Sequence, residues 1–191
     1  MIETTIYFVT IIALAFFTGL VVKTADYLED TKKEKNKVKL ILIGLLYGVL
    51  IFLMVYYFPI IAPICLGTVL GLVLFGKIDK ISHRVATTLA ILLTFLLLPQ
   101  AINLLLAFFV VVNIFEELAN DYFDKHTLKN KTLHHFATSR PLLEISALVV
   151  SIVFWRWEIF IAMIFFDIAY LTMTKYENKK IKENLIKKRR K

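Results

Sequence analysis

Seven stretches of the chain are almost wholly apolar: residues 5–22, 40–58, 60–76, 85–98, 101–115, 141–155 and 157–172. Runs of Leu, Ile, Val and Phe this long predict helices. Several fall short of the roughly 20 residues that a helix needs to cross a bilayer upright. An alternative reading fuses neighbours into longer helices over 40–76 or 85–115, kinked at Pro59 and Pro63 or at Pro99. The placement of charge decides between the two readings. With seven crossings, segments 23–39, 77–84, 116–140 and 173–191 share one side and hold 22 of the 23 lysines and arginines, leaving Arg156 opposite. Basic residues concentrate on the cytosolic side of membrane proteins. Fusing 85–115 would carry Lys125, Lys129, Lys131 and Arg140 to the outside and destroy that bias. The pattern therefore predicts an all-α, polytopic transmembrane bundle of about seven helices, with its N-terminus outside and its C-terminus cytosolic.

The outer connections are short. Pro59 to Pro63 and Pro99-Gln100 stop helices, because proline has no backbone N–H to donate. Trp155-Arg156-Trp157-Glu158 makes a third turn, with two indole rings at the depth of the interface. Residues 1–22 differ from a secretory leader in charge order: Glu3 precedes the apolar run and Lys23 follows it, so a retained first helix is expected.

Composition agrees with a chain in lipid. Hydrophobic residues make up 59% of 191, mean hydropathy is +0.72, and no segment is left for a separate soluble domain. Residues 1–191 read as a single transmembrane domain in the cell membrane, with 175–191 as a basic cytosolic tail beside anionic headgroups. The net charge of +8 follows from this sidedness, and no nucleic-acid partner is expected. One cysteine, Cys65, in an apolar run excludes a disulfide framework and a cysteine-based zinc site.

Acidic residues carry the chemical information. After the first helix, Asp26, Asp30 and Glu34 recur every four residues, so a helix that continued through them would place all three on one face. After the fifth, Glu116, Asn120 and Asp124 repeat that spacing, with Glu117 and Asp121 beside them. Asn113, Glu117, Asn120 and Asp124 form a second stripe at 4-3-4 spacing. Like charges on one helical face repel. Solvation among lysines relieves that cost, and so does a divalent cation. Mg²⁺ characteristically binds one or two carboxylates together with waters and phosphate oxygens.

These two rows resemble the aspartate-rich motifs of UbiA-type intramembrane prenyltransferases. Asp26-x3-Asp30-x3-Glu34 matches the first motif with Glu in its last place, and Asn120-Asp121-Tyr122-Phe123-Asp124 has the wording typical of the family. Lys131-Thr132-Leu133 is similar to the stretch after the second motif. The resemblance implies Mg²⁺ at Asp26, Asp30, Glu34, Glu116, Asn120 and Asp124, with Asp26, Asp30, Asn120 and Asp124 as the catalytic set. It implies a prenyl diphosphate and a lipid or small-molecule acceptor as substrates, and Lys77, Arg84 and Arg140 as partners for the diphosphate. The family has about nine helices, against seven here, and Leu128 stands where a further acid of the second motif would fall.

Other polar positions leave a second class of function open. Asp167 lies near the middle of the last apolar stretch, and intramembrane acids usually face a bundle interior or a water-filled path. It reads equally as a protonated or hydrogen-bonded acid within helix packing and as a substrate or cation contact, which would assign it to substrate binding or to an ion-coupled transporter. Glu144 lies one turn inside after Arg140-Pro141. Asp79 and His83 share a spacing of four and read as a surface pair, and His126, His134 and His135 lack ligand spacing. Glu116-Glu117 lacks the arginine of CAAX-type proteases, the signature of CDP-alcohol phosphotransferases is missing, and the chain has no Walker loop or nucleophile elbow.

Overall fold

A computed structural model describes residues 2–32, 34–101, 103–126 and 141–189. The described residues form seven helices and no strand: α1 Ile2–Asp26, α2 Lys37–Tyr57, α3 Ala62–Leu74, α4 Ile81–Leu97, α5 Leu104–Lys125, α6 Pro141–Phe154 and α7 Trp157–Arg189. Each predicted apolar stretch has become one helix. Asn36 and Asn103 start α2 and α5 by accepting the amide N–H groups of Lys39 and Leu106. Phe58 and Leu98 end α2 and α4 in non-helical conformations, because a residue before proline is pushed out of the helical region. Short, tighter helical turns follow at Pro59–Ile61 and Pro99–Ala101. Between α6 and α7 the chain reverses at Trp155, whose φ of 53° is left-handed.

The helices extend beyond the apolar stretches at one end only. α1 runs to Asp26 and continues as a widened turn, Tyr27–Thr31, while α5 reaches Lys125 and α7 reaches Arg189. The segment expected as a basic tail is thus a continuation of α7. Among the described residues, three segments are long and apolar enough to cross a membrane: Glu3–Asp30, Lys37–Tyr57 and Trp157–Ile181. Side chains such as Leu42, Leu96, Leu104 and Val153 stay more than half exposed on the outside of the bundle. A water-soluble surface rarely carries so much apolar area.

Three close helix pairs build the bundle: α1 with α7, α2 with α4, and α3 with α5. Each pair runs parallel, as successive contacts show: Gly44 meets Ser82 and Gly48 meets Ala86, while Gly67 meets Phe109 and Gly71 meets Asn113. A Cβ on Gly44 would sit 2.5 Å from the Ser82 carbonyl oxygen, and one on Gly48 would sit 2.9 Å from the Ala86 Cα. The G-x-x-x-G spacing in α2 and in α3 therefore lets backbone approach backbone, the packing device of helices that lack a hydrophobic drive to associate. Gly19 plays the same part in α1, against the Phe166 backbone of α7.

Candidate functional site at the charged end of the bundle

The close pairs bring polar side chains from four helices together at the end of α1. Asp26 accepts a hydrogen bond from His83 Nε2 in the first turn of α4 (2.8 Å) and another from the Tyr170 hydroxyl of α7 (2.7 Å). On the other side of the imidazole, Nδ1 lies 2.6 Å from the Tyr47 hydroxyl of α2. A carboxylate only accepts, so Nε2 carries a proton toward Asp26. Lys23 completes the group, 3.9 Å from Asp26 Oδ2 and 4.7 Å above the Tyr170 ring. Tyr47 lies between Gly44 and Gly48 and is 4% exposed, so it reaches His83 only because those glycines draw α4 in. Asp79 does not pair with His83. It precedes α4, is largely exposed and lies 3.9 Å from Lys80.

The first acidic row is divided among three partners. The widened turn after Asp26 shifts the hydrogen bonding, with Lys32 N–H bonded to the Tyr27 carbonyl and Glu34 N–H to that of Leu28. Four-residue spacing then no longer returns to one face. Asp26 joins His83 and Tyr170. Asp30 lies 2.7 Å from Lys80, and Glu34, beyond the helix, bonds the Asn36 N–H and Lys39. The Asn36 N–H and the Lys39 ammonium hold the Glu34 carboxyl below its ordinary pKa. Glu29, outside the predicted row, accepts from the backbone N–H of Ile81 (2.9 Å) and from the Ser82 hydroxyl, capping α4.

The second row shows a parallel division of labour. Glu116 accepts the N–H groups of Leu142 and Leu143, both at 2.9 Å, and caps α6 much as Glu29 caps α4. It is 2% exposed. Asp121 pairs with Lys77 at 2.5 Å. Asn113 and Glu117 are buried, and the Asn120 Oδ1 is sealed from solvent. Asp124 lies in the last turn of α5, but its side chain is outside the described residues, as is all of Arg140. Asp167 lies half-buried in the part of α7 that packs on α1.

The loop between α3 and α4 connects the two acidic helix ends. Gly76 turns the chain with a φ of 73°, and Lys77 then reaches Asp121 of α5 while Lys80 reaches Asp30 after α1. Three residues span at most roughly 11 Å, so both acids lie within a lysine's length of one short segment. Arg84 Nε donates to the Ile78 carbonyl (3.4 Å) and braces the loop from α4. Contact with Asp30 raises the pKa of the Lys80 ammonium. All four paired groups retain solvent exposure, from 36% for Lys80 and Asp121 to 55% for Asp30.

Among the described residues, no three His, Cys, Asp or Glu side chains converge as a metal site. Asp30 and Asp121 are partly exposed oxygen donors, each beside a lysine, and carboxylate oxygens are the donor type that Mg²⁺ takes together with water and phosphate. No protein-family model, curated protein or solved structure matches the chain. Reading the sequence missed the helix-capping roles of Glu29 and Glu116, and it missed the Tyr47–His83–Asp26–Tyr170 group. The G-x-x-x-G spacing was the one signal able to indicate that α2 and α4 lie in contact, and hence that Tyr47 and His83 meet.

Proposed function

We propose that the chain is a multi-pass protein of the cell membrane that binds a prenyl diphosphate at its cytosolic end and transfers the prenyl group to an acceptor. One observation carries this reading: Asp30 and Asp121, from the two acidic helix ends, both pair with lysines of the single loop 77–80. Such a grouping suits a Mg²⁺-bound diphosphate, with Asp30 and Asp121 turning to the cation and Lys77 and Lys80 to phosphate oxygens. Charge balance favours the exchange, since two lysine–carboxylate pairs are neutral and the added metal and diphosphate nearly cancel each other. When bound, Mg²⁺ would supply charge neutralisation of the leaving diphosphate. The protein's own part is to hold the headgroup between loop 77–80 and the ends of α1 and α5, with Arg84 keeping that loop in place. An isoprenoid tail would lie along the exposed apolar flanks of the bundle, where Leu74 is 69% exposed just before the loop.

The test is calorimetric titration of farnesyl diphosphate into detergent-purified protein, with and without MgCl₂. Binding is expected only with the metal, and roughly tenfold or more weaker in Asp30→Asn, Asp121→Asn and Asp124→Asn, about the loss of one charge-assisted contact. Equal affinity in all these variants, or binding indifferent to Mg²⁺, would sink the reading.

A further inference from the structure

The end of the bundle away from loop 77–80 holds a pocket that the diphosphate site does not use. Glu3, Tyr7 and Thr10 recur at 4-3 spacing along the first turns of α1, which places them on one face. Together with Ile6, and with Tyr57 and Phe58 from the end of α2, they line an open space of about 440 Å³. Its base is fixed, since Phe58 is 4% exposed and Tyr7 packs edge-on against it with ring centroids 5.0 Å apart. Its rim is apolar and uncovered: Ile6 is 60% exposed and Tyr57 62%.

This space is charged at its mouth and apolar further in. Glu3, an exposed carboxylate, marks the mouth. Thr10 lies two turns further along α1, about 10 Å away. It has given its hydroxyl hydrogen to the Ile6 carbonyl (2.8 Å), so it leaves no unpaired donor beside an apolar chain. Among the described residues, no basic side chain lines the pocket. Arg156, the one basic residue expected on that side, lies 3.8 Å from Glu158. A lining whose charge is a carboxylate attracts a cation and repels an anion, and aromatic rings favour a cation further. Both α1 and α2 belong to segments long enough to cross a membrane, so the molecule that meets this space there is an amphiphile of the bilayer.

We infer that this pocket binds one phospholipid whose headgroup ends in a primary ammonium, with Glu3 as the counter-charge, the Tyr7 and Tyr57 rings beside the ammonium, and an acyl chain lying along Ile6 and Thr10. The ammonium N–H groups donate charge-assisted hydrogen bonds to the Glu3 carboxylate, and a fully methylated headgroup has no hydrogen with which to make them. An anionic headgroup is repelled by the same carboxylate. The site is built from α1 and α2 alone, so it holds whether or not the chain binds a diphosphate at the other end.

The experiment is native mass spectrometry of the full-length protein released from mixed micelles that hold equal amounts of POPE, POPC and POPG. These lipids share their acyl chains and differ only in an ethanolamine, choline or glycerol headgroup. The wild type is expected to retain POPE about fivefold or more in preference to either other lipid, the size of one exposed charged contact. Glu3→Gln should lose that preference and keep the thermal unfolding midpoint of the wild type, since Glu3 is exposed and its carboxylate supports no core contact. Asp30→Asn, at the opposite end, should keep the preference intact. Equal retention of POPE and POPG, equal retention of POPE and POPC, or an undiminished preference in Glu3→Gln would each overturn the site. Loss of the preference in Asp30→Asn would place the lipid beside loop 77–80 and overturn it as well.

Discussion

At the scale of single residues, the decisive feature is that carboxylates at the charged end bond specific partners on other helices. Asp26 shows this most clearly, since its two oxygens receive the His83 ring and the Tyr170 hydroxyl from α4 and α7. A hydrogen bond to an ionised group contributes about 1.5–3 kcal/mol. A double-mutant cycle between Asp26→Asn and Tyr170→Phe, followed by unfolding in mixed micelles, is therefore expected to give a coupling energy of roughly 1–2 kcal/mol. Additive effects would mean that the bond contributes nothing to stability. The pairings also explain why the candidate site was only partly legible in the sequence. Spacing suggested where acids share a face, and in the α5 stripe Asn113 and Glu117 are buried and the Asn120 Oδ1 is sealed from solvent. It failed for Asp26, Asp30 and Glu34 because the argument assumed an unbroken helix, and the widened turn Tyr27–Thr31 breaks the repeat. It also gave His83 the wrong partner: Asp79 is four residues away, but the residue that binds the ring is Asp26, 57 positions distant.

At the scale of elements, the seven helices were legible because long apolar runs and proline stops leave few alternatives, whereas their neighbours were not. Nothing in hydropathy reveals that α1 lies against α7 or α2 against α4. That information resides in small residues, whose effect appears only when two backbones meet. Gly48 faces the Ala86 backbone, so Gly48→Leu should force α2 and α4 apart and destabilise the bundle by roughly 1–3 kcal/mol or more. The same change at Gly76, where no atom lies within 4 Å of a built Cβ, acts only through its left-handed backbone and should cost about 1–2 kcal/mol. Unfolding of the two variants side by side separates packing from conformation. Helix starts offer a second check. Glu116 satisfies the Leu142 and Leu143 amides at the beginning of α6, and those groups have no carbonyl within their own helix to bond. In Glu116→Ala their hydrogen exchange should accelerate by at least tenfold, while exchange in the middle of α6 stays as it was. Uniform acceleration along α6 would show that the cap is not local in its effect.

At the scale of the whole molecule, the contacts between helix ends bear on the proposed topology more directly than hydropathy does. Three long apolar helices alone are compatible with only three crossings, which would leave α3 to α6 together on the outer side. The hydrogen bonds argue against that arrangement. Glu29, at the end of α1, caps the start of α4, and Lys80 from the preceding loop reaches Asp30. Loop 77–80 therefore belongs to the same side as the end of α1. Glu116, near the end of α5, caps the start of α6, which returns the chain to that side again. At the opposite end, Tyr7 stacks edge-on against Phe58, so the start of α1 meets the end of α2. Seven crossings satisfy all of these contacts, even though α3, at 13 residues, covers only about 20 Å of a hydrocarbon core near 30 Å. In such a topology, local thinning and the tight turn at Pro59–Ile61 would take up the difference. Single cysteines placed in a Cys65→Ala background test this with a membrane-impermeant maleimide on intact cells. Gln100→Cys and Arg156→Cys should react from outside, and Asp79→Cys should react only after permeabilisation. Asp79→Cys labelling at the same rate as Gln100→Cys in intact cells would place loop 77–80 outside, and would remove the cytosolic diphosphate site with it.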